Sequence, residues 1–302
     1  MNRRHFLQTL GLSGALLSLN QCSPSQTRRP WRMLFLTDFH AREDLEAPVA
    51  LHLLAERVNQ LAPDFVLGGG DCIHGGFAGE PEVCRERFGI FKDFIQKIKA
   101  PAHWMIGNHD FVAAVDVKGN PRSNDPTRMY REFTGNHELH RHIELAGRSL
   151  ICLQSVQVVG GEQGYRGFVD EIQLEWLRKT LAGIPEDRPI LLFSHIPLQT
   201  TFMQSLYGSM SALPSNLVVE NAKAVLDMFS DRPLQFVLQG HLHINERVIW
   251  NDTTFVMAGA VCGAWWKGGN RGTREGFGQL DFHHKDTVHY RYGDYGWSAP
   301  SR

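Results

Sequence analysis

An apolar segment that ends in an amide, an imidazole and a carboxylate stands out in this sequence. Residues 102–107 form a stretch long enough for one buried strand, and Asn108, His109 and Asp110 follow directly. Open α/β sheets place their chemistry at the carboxyl ends of strands, so this turn is a candidate site. Asn108 offers an amide oxygen as a metal ligand, and Asp110 is placed to orient the His109 imidazole and raise its basicity.

Carboxylates follow two other predicted strands. Asp38 and His40 come after the apolar run 32–36, and Asp71 comes after the glycines 68–70. Because positions i and i+2 at a strand end point the same way, Asp38 and His40 can converge on one ion. The glycines leave no side chain between Asp71 and an ion, and each of its carboxylate oxygens can bind a different cation.

Histidines follow two further apolar runs. His195 comes before Pro197, which ends regular structure there, and His241 and His243 present two imidazoles at one place after Gly240. The candidate ligands together are Asp38, His40, Asp71, Asn108, His195, His241 and His243. Carboxylate, imidazole and amide donors suit divalent or trivalent manganese, iron or zinc. Seven ligands are too many for one catalytic ion, and they fit two ions that share Asp71.

A similar motif, Gly-Asn-His-Glu at 135–138, is interpreted differently. It follows a predicted helix at 127–134, so Gly135 is the residue that ends the helix. No buried strand delivers His137 to a site, and we predict a structural role for it.

The periodicity of apolar residues predicts alternating strands and helices. Helices are predicted at 49–61, 81–99, 127–134, 171–181 and 214–229. Strands are predicted at 32–36, 64–67, 102–107, 139–145, 149–153, 190–193 and 236–238. The tail, 246–292, has several short strands that fit a second sheet. Trp265 and Trp266 lie there in a glycine-rich loop and could line a substrate cleft, with core packing left open as the alternative.

Composition limits the class of protein. The 302 residues allow one large α/β domain or two small ones, and 42% apolar residues are enough for a core. A net charge of −1 argues against a nucleic-acid scaffold. No internal apolar stretch reaches the roughly 18 residues of a membrane span, so none is expected in the mature protein. The spacing of Cys72, Cys84, Cys152 and Cys262 matches no zinc motif, and the last two are expected in the core.

The first 30 residues are expected to direct export rather than to fold. Arg3 and Arg4 precede a short apolar segment at 10–19, which is typical of a twin-arginine signal. We therefore expect residues 1–30 to be signal and linker, and the protein to be periplasmic or associated with the cell envelope. Cys22 adds the possibility of a lipid anchor, although the residues before it are bulkier than a lipobox requires.

The five motifs occur in an order that resembles the calcineurin-like metallophosphoesterase superfamily. They read D-x-H, G-D, G-N-H-D, S-H-x-P and G-H-x-H, and the resemblance covers about residues 33–243. S-H-I-P, the G-Y-R-G at 164–167 and the N-terminus are most similar to exported bacterial members near the cyclic-nucleotide phosphodiesterase branch. The resemblance implies a four-layer αββα sandwich, with two mixed β-sheets flanked by helices, in one domain from 31 to 302.

The resemblance also implies a role for each candidate residue. One metal would be held by Asp38, His40 and His243, the other by Asn108, His195 and His241, and Asp71 would bridge them. A hydroxide between the metals would attack phosphorus in line. Asn108 and His109 would contact the substrate, and His109, oriented by Asp110, would stabilise the transition state or protonate the leaving oxygen.

The predicted function is hydrolysis of small phosphoesters, with diesters favoured. Cyclic nucleotides, nucleotides and glycerophosphodiesters are the substrate types considered, and a phosphomonoesterase on the same site is the alternative. His74 departs from the phosphodiesterase branch, which often has an acid or amide there, and also from the tyrosine of purple acid phosphatases. The substrate would be decided by the pocket around His74, Trp265 and Trp266. A binding protein without turnover is disfavoured because no ligand is missing.

Overall fold

The computed structural model describes residues 29–161, 164–210, 212–284 and 287–300. The predicted export signal and Cys22 lie outside these residues. The helices are α1 Ala47–Leu61, α2 Pro81–Ile95, α3 Arg128–Thr134, α4 Glu171–Gly183, α5 Phe202–Tyr207 and α6 Ala222–Asp227. The strands are β1 Trp31–Leu36, β2 Phe65–Gly69, β3 Ala102–Met105, β4 Arg141–Leu145, β5 Arg148–Leu153, β6 Val156–Val158, β7 Tyr165–Gly167, β8 Ile190–Ser194, β9 Leu234–Gln239, β10 Asn245–Trp250, β11 Thr253–Ala258, β12 Phe277–His284 and β13 Thr287–Gly293.

Two mixed sheets form the centre of the structure. One has the strand order β13-β12-β1-β2-β3 and the other β10-β11-β9-β8-β5-β4. Strands β1, β2 and β3 are parallel in the first sheet, and β11, β9, β8 and β5 are parallel in the second. Antiparallel strands such as β12 and β10 extend them. Parallel strands end at a common edge, and this edge carries the predicted ligands.

Alternation along β1 shows how the layers are built. Met33 and Phe35 belong to the core between the sheets, where Phe35 packs edge-on against Phe193 of β8 at 5.9 Å between ring centroids. Leu34 and Leu36 lie on the other face, in the cluster that contains the buried side chains of α1 and α2. Burial on both faces is typical of a strand inside a layered α/β fold. The predicted four-layer architecture is confirmed.

Phe39 anchors the turn that follows β1. Its ring lies between those of Phe91, Phe94 and Trp104, with centroids 5.1, 5.4 and 6.0 Å away. Its neighbours Asp38 and His40 adopt left-handed φ angles of 58° and 44°.

The predicted helix at 214–229 is wrong over its first half. Only α6 is helical, because the backbone groups before it form tertiary hydrogen bonds. The Gly167 N–H donates to the carbonyl of Ser215 at 2.7 Å, and the Val219 N–H donates to that of Pro197 at 2.9 Å. These bonds join the segment to β7 and to the loop after His195.

Two other expectations can be compared with the structure. The tail does not form a sheet of its own, since β10 and β11 extend one central sheet while β12 and β13 extend the other. The predicted end of α3 is confirmed, because Gly135 follows it in the left-handed conformation with φ 72°. His137 beyond it is exposed. No helix in the described part of the chain is long and apolar enough to span a membrane.

Candidate metal centre

The loops after β1, β2 and β3 are joined by hydrogen bonds at one edge of their sheet. The Asp38 N–H donates to the carbonyl of Gly70 at 3.0 Å, and the His40 N–H donates to that of Asp71 at 2.8 Å. The His109 N–H donates to Oδ1 of Asp71 at 2.8 Å. These hydrogen bonds link the three loops, and the polar side chains of the loops lie close together.

Asp71 lies between two histidines from different sheets. Its Oδ2 is 3.4 Å from Nε2 of His40, and its Oδ1 is 3.4 Å from Nε2 of His195. The side chain is almost fully buried. Each oxygen thus faces a different imidazole, which is the arrangement needed for one carboxylate to serve two cations.

The remaining predicted ligands divide into two groups around Asp71. On one side, Nε2 of His243 lies 3.0 Å from Nε2 of His40 and 3.3 Å from Oδ1 of Asp38. On the other side, Nε2 of His195 lies 3.2 Å from Oδ1 of Asn108. Ligand atoms of Asp38, His40 and Asp71 lie within 4.8 Å of one another, as do those of Asp71, His195 and His241. The structure brings all seven residues together.

Backbone carbonyls fix the tautomers of three of these histidines. The pairs are His195 Nδ1 with Gly69 O at 2.7 Å, His241 Nε2 with Asn216 O at 2.9 Å, and His243 Nδ1 with Gly263 O at 2.6 Å. A carbonyl only accepts, so the named nitrogen carries a proton and the other nitrogen is the one that can bind a metal. Metal-bound histidines are typically oriented in this way. The residues present therefore fit two metal ions.

Electrostatics differ between the imidazoles. Burial lowers the pKa of His241 to about 4, and burial, with the nearby His109, holds the pKa of His40 well below its usual range. Both are therefore neutral at pH 7. Burial also acts to lower the pKa of His195, but the negative charge of Asp71 raises it to about 9. A cation that binds His195 would displace a proton.

Five of the seven predicted ligands have backbone conformations that favour glycine. The φ angles are 58° at Asp38, 44° at His40, 52° at Asp71, 74° at His241 and 55° at His243. Such conformations are uncommon for other residues and tend to cluster at functional sites. The hydrogen bonds between the loops hold this strained arrangement in place.

Close packing explains the glycine before Asp71. Gly70 has φ 90°, and a Cβ atom there would lie 2.6 Å from the backbone nitrogen of Gly107 and 2.8 Å from Nδ1 of His195. Only glycine lets the two loops and the imidazole approach this closely.

The prediction that Asp110 orients His109 is wrong. The Gly75 N–H donates to Nδ1 of His109 at 2.8 Å, so the proton of a neutral His109 imidazole lies on Nε2. Asp110 instead accepts from the Gly107 N–H at 2.8 Å and the Ile73 N–H at 3.2 Å. Being buried and close to Asp71, it has its pKa raised to about 7. Asp110 therefore links the loops and does not contact the imidazole.

The two tryptophans are placed differently, and the predicted substrate contact of Trp266 is corrected. Trp266 is only 2% exposed, packs against Trp297, and donates from Nε1 to the carbonyl of His40 at 2.9 Å. Trp265 is 41% exposed, and its ring centroid lies 4.7 Å from that of His243. Trp265 therefore borders the centre, whereas Trp266 supports it from the core.

His74 also lies beside the centre. Its ring is stacked on that of His109, with centroids 5.8 Å apart and an interplanar angle of 27°. Burial, assisted by the positive charge of Arg42, lowers the pKa of His74 to about 4. The imidazole is thus neutral at pH 7.

Several contributing residues were not found from the sequence. Thr37 donates from Oγ1 to Oδ2 of Asp38 at 2.7 Å, and its position next to the motif was the only signal. Cys262 lies in the core as expected, but its Sγ is 3.8 Å from Nδ1 of His243. The carbonyls of Gly69, Asn216 and Gly263 have no sequence signal, because every residue has one.

The family model described as calcineurin-like phosphoesterase matches residues 32–245, which include all seven predicted ligands. This chain belongs to the calcineurin-like phosphoesterase family. The resemblance inferred from the motifs is therefore confirmed.

Curated relatives of this family member are cyclic-nucleotide phosphodiesterases by name. The 3′,5′-cyclic adenosine monophosphate phosphodiesterase CpdA of Escherichia coli is 28% identical over 173 residues, which are 57% of this chain and 54% of the relative. A cAMP/cGMP dual specificity phosphodiesterase of Mycobacterium tuberculosis is 24% identical over 72% of this chain and 61% of the relative. The match thus spans about half the length of the E. coli relative.

Solved structures share the fold. A dimetal phosphatase of Danio rerio has a TM-score of 0.61 at 13% identity, over 88% of this chain and 97% of the other. The purple acid phosphatase PPD1 of yellow lupin has a TM-score of 0.60 at 13% identity, over 87% of this chain and 51% of the other. At these identities the likeness is one of fold alone.

Proposed function

We propose that this protein hydrolyses small phosphodiesters at a dinuclear metal centre. The observation that carries the proposal is the position of Asp71, whose two carboxylate oxygens each face a histidine of a different group at 3.4 Å. Family membership and the names of the relatives support phosphoester hydrolysis. Cyclic nucleotides come first among the substrates, followed by other nucleotides and glycerophosphodiesters.

The proposed ligands form two sets. One ion would be held by Asp38, His40 and His243, the other by Asn108, His195 and His241, and Asp71 would contribute to both. Two bound ions of manganese, iron or zinc would lower the pKa of a water molecule between them and neutralise the phosphoryl oxygens. The backbone carbonyls that bind His195, His241 and His243 orient these rings before a metal binds, so the side chains need to move little on metal binding.

His109 is the proposed hydrogen-bond donor. Its Nδ1 accepts from the Gly75 N–H, so Nε2–H is the ring atom that remains able to donate. Burial lowers the pKa of His109, so its imidazole is neutral at pH 7 and Nε2–H can donate a hydrogen bond to the leaving oxygen or to a phosphoryl oxygen. A preorganised donor to the charge that develops in the transition state is typically worth ~10²–10³-fold in rate.

Matched nitrophenyl esters test the proposal. The full chain is stripped of metal, reloaded with manganese, and given bis(4-nitrophenyl) phosphate and 4-nitrophenyl phosphate. We expect hydrolysis that depends on the added metal and a higher kcat/KM for the diester. A higher kcat/KM for the monoester would favour a phosphatase instead. Absence of turnover with two metals bound, as counted by elemental analysis, would contradict the enzymatic proposal.

We also propose that residues 1–30 direct export by the twin-arginine route, which suits a protein that folds around metal ions before it crosses a membrane. Support comes from Arg3, Arg4 and the apolar segment after them. A fusion of this segment to a reporter should be exported, and a fusion with Arg3→Lys and Arg4→Lys should remain inside the cell. Labelling of cells with a lipid precursor tests the lipid anchor: the wild-type protein should take up the label, and Cys22→Ser should not.

A further inference from the structure

Trp265 presents a large aromatic surface next to the candidate metal centre. It is 41% exposed. Its ring lies 4.7 Å from the His243 ring at an interplanar angle of 36°, and 6.3 Å from the His40 ring, measured between centroids. An exposed indole this close to His243 and His40, two predicted ligands, can contact a substrate bound at the metal centre.

The loop that presents Trp265 is held in a strained conformation. Trp265 and Trp266 have φ angles of 53° and 68°, which side chains rarely adopt. The Trp266 N–H donates to the carbonyl of Cys262 at 2.7 Å, and the Ala264 N–H donates to that of Gly268 at 2.8 Å. These bonds close the loop, and strain of this kind is typical of ligand clamps.

The same loop is connected to both neighbouring ligands. The carbonyl of Gly263 accepts from Nδ1 of His243 at 2.6 Å, and Nε1 of Trp266 donates to the carbonyl of His40 at 2.9 Å. Trp266 anchors the loop in the core, and two successive left-handed residues turn Trp265 outward. The backbone that carries Trp265 is therefore tied to both His40 and His243.

We propose that Trp265 is a stacking platform that selects phosphodiesters bearing a nucleobase. This inference rests on the proposed function and narrows its substrate class. An indole face stacks on any planar ring, because every nucleobase has a π face. A quaternary ammonium group could also contact an indole, but it would be repelled by two metal cations a few ångströms away. A neutral planar ring fits this place.

A pair of esters that differ only in the base provides the test. Adenosine 3′,5′-cyclic phosphate is compared with ribose 3′,5′-cyclic phosphate, using the manganese-loaded full chain. Trp265→Ala should lower kcat/KM for the first ester by about 5- to 150-fold, mainly through KM, which corresponds to 1–3 kcal/mol of base stacking. The base-free ester should change less than about twofold. Trp265→Phe should keep most of the preference.

The matched control is Trp250→Ala, which removes a 63% exposed tryptophan at the end of β10. It should leave both esters unaffected. An equal loss on both esters with Trp265→Ala, or no loss on either, would overturn the inference and leave phosphodiester hydrolysis standing. A larger loss on glycerophosphocholine than on the nucleotide would overturn it in favour of a cation contact.

Binding of adenosine monophosphate separates this inference from the proposed function. Equilibrium dialysis with the metal-loaded full chain needs no turnover. If no ester is hydrolysed, weaker binding by Trp265→Ala than by the wild type would still support the platform. Equal binding by the two proteins would overturn it.

Discussion

The backbone N–H of Gly75 donates to Nδ1 of His109 across 2.8 Å. This bond, and not a carboxylate, sets the tautomer of the imidazole. His109 is not one of the seven predicted ligands, although its ring centroid lies 4.5 Å from that of His40. A His109 variant therefore tests catalysis apart from those seven residues.

Replacing His109 should affect the chemical step alone. His109→Ala should lower kcat by ~10²–10³-fold with little change in KM, because the hydrogen-bond donor is lost. Two metals per chain should still be found by elemental analysis. If metal content falls with activity, His109 has a structural or ligand role instead.

Replacing Asp71 should affect metal binding first. Asp71→Asn removes the negative charge that two cations would share, so we expect at most one tightly bound metal. Activity should fall below roughly 1% of wild type, because even a residue that only orients a metal ligand contributes 10–100-fold. Asp64→Asn, in the exposed ion pair with Arg29, is the matched control and should retain both metals. Full occupancy by two metals in Asp71→Asn would contradict the bridging assignment.

The contact between Trp266 and His40 should contribute to stability. Trp266→Phe keeps an aromatic ring but removes the Nε1–H that donates to the buried carbonyl of His40. An unsatisfied buried acceptor costs about 1–3 kcal/mol, so the free energy of unfolding should fall by that amount. Trp265→Phe, next to it but exposed, should change stability little. Chemical denaturation of the two variants makes the comparison.

Gly70 and Gly89 should respond to alanine in opposite directions. In Gly70→Ala the new Cβ meets Gly107 and His195 at a φ of 90°, so the free energy of unfolding should fall by at least about 1 kcal/mol and metal affinity should drop. Gly89 lies within α2, and a Cβ there meets no atom within 4 Å. Gly89→Ala should stabilise the protein by about 0.5–1 kcal/mol. If Gly70→Ala keeps the stability and metal affinity of the wild type, the loops of Gly70 and Gly107 can move apart to accept the new Cβ.

An ion-pair cluster away from the metals should make stability depend on pH. Burial raises the pKa of Asp281, but hydrogen bonds from Arg32 and Gln279 lower it below its usual value overall. A depressed carboxyl pKa stabilises the fold above the unfolded pKa, and this stabilisation is lost as the pH falls through the folded value.

Metal-free protein should therefore lose stability below about pH 4, and Asp281→Asn should lose less over the same range. Asp281→Asn should also be less stable than wild type at pH 7, because Arg32 and Arg291 lose their partner. Thermal melts from about pH 5 to pH 3 measure both effects. Parallel curves for the two proteins would show that Asp281 does not contribute.

Local patterns in the sequence predicted β1 to β5, β8 and β9 and the polar residues that follow them, whereas β6 and β7 were not predicted. The run before Asp38 and the glycines before Asp71 predicted where side chains become available for chemistry, and the structure brings those side chains together. The prediction succeeds because a buried strand can be recognised from its own run of apolar residues, and because parallel strands end at the same edge of a sheet.

The tertiary structure alone decided how those residues are supported. The partner of His109 is a backbone N–H from another loop, and of two adjacent tryptophans Trp266 is buried while Trp265 is exposed. Residues 214–221 are not helical, since other segments use their backbone groups. Backbone partners are the same chemical groups in every residue, so only the meeting of distant segments determines which of them pair.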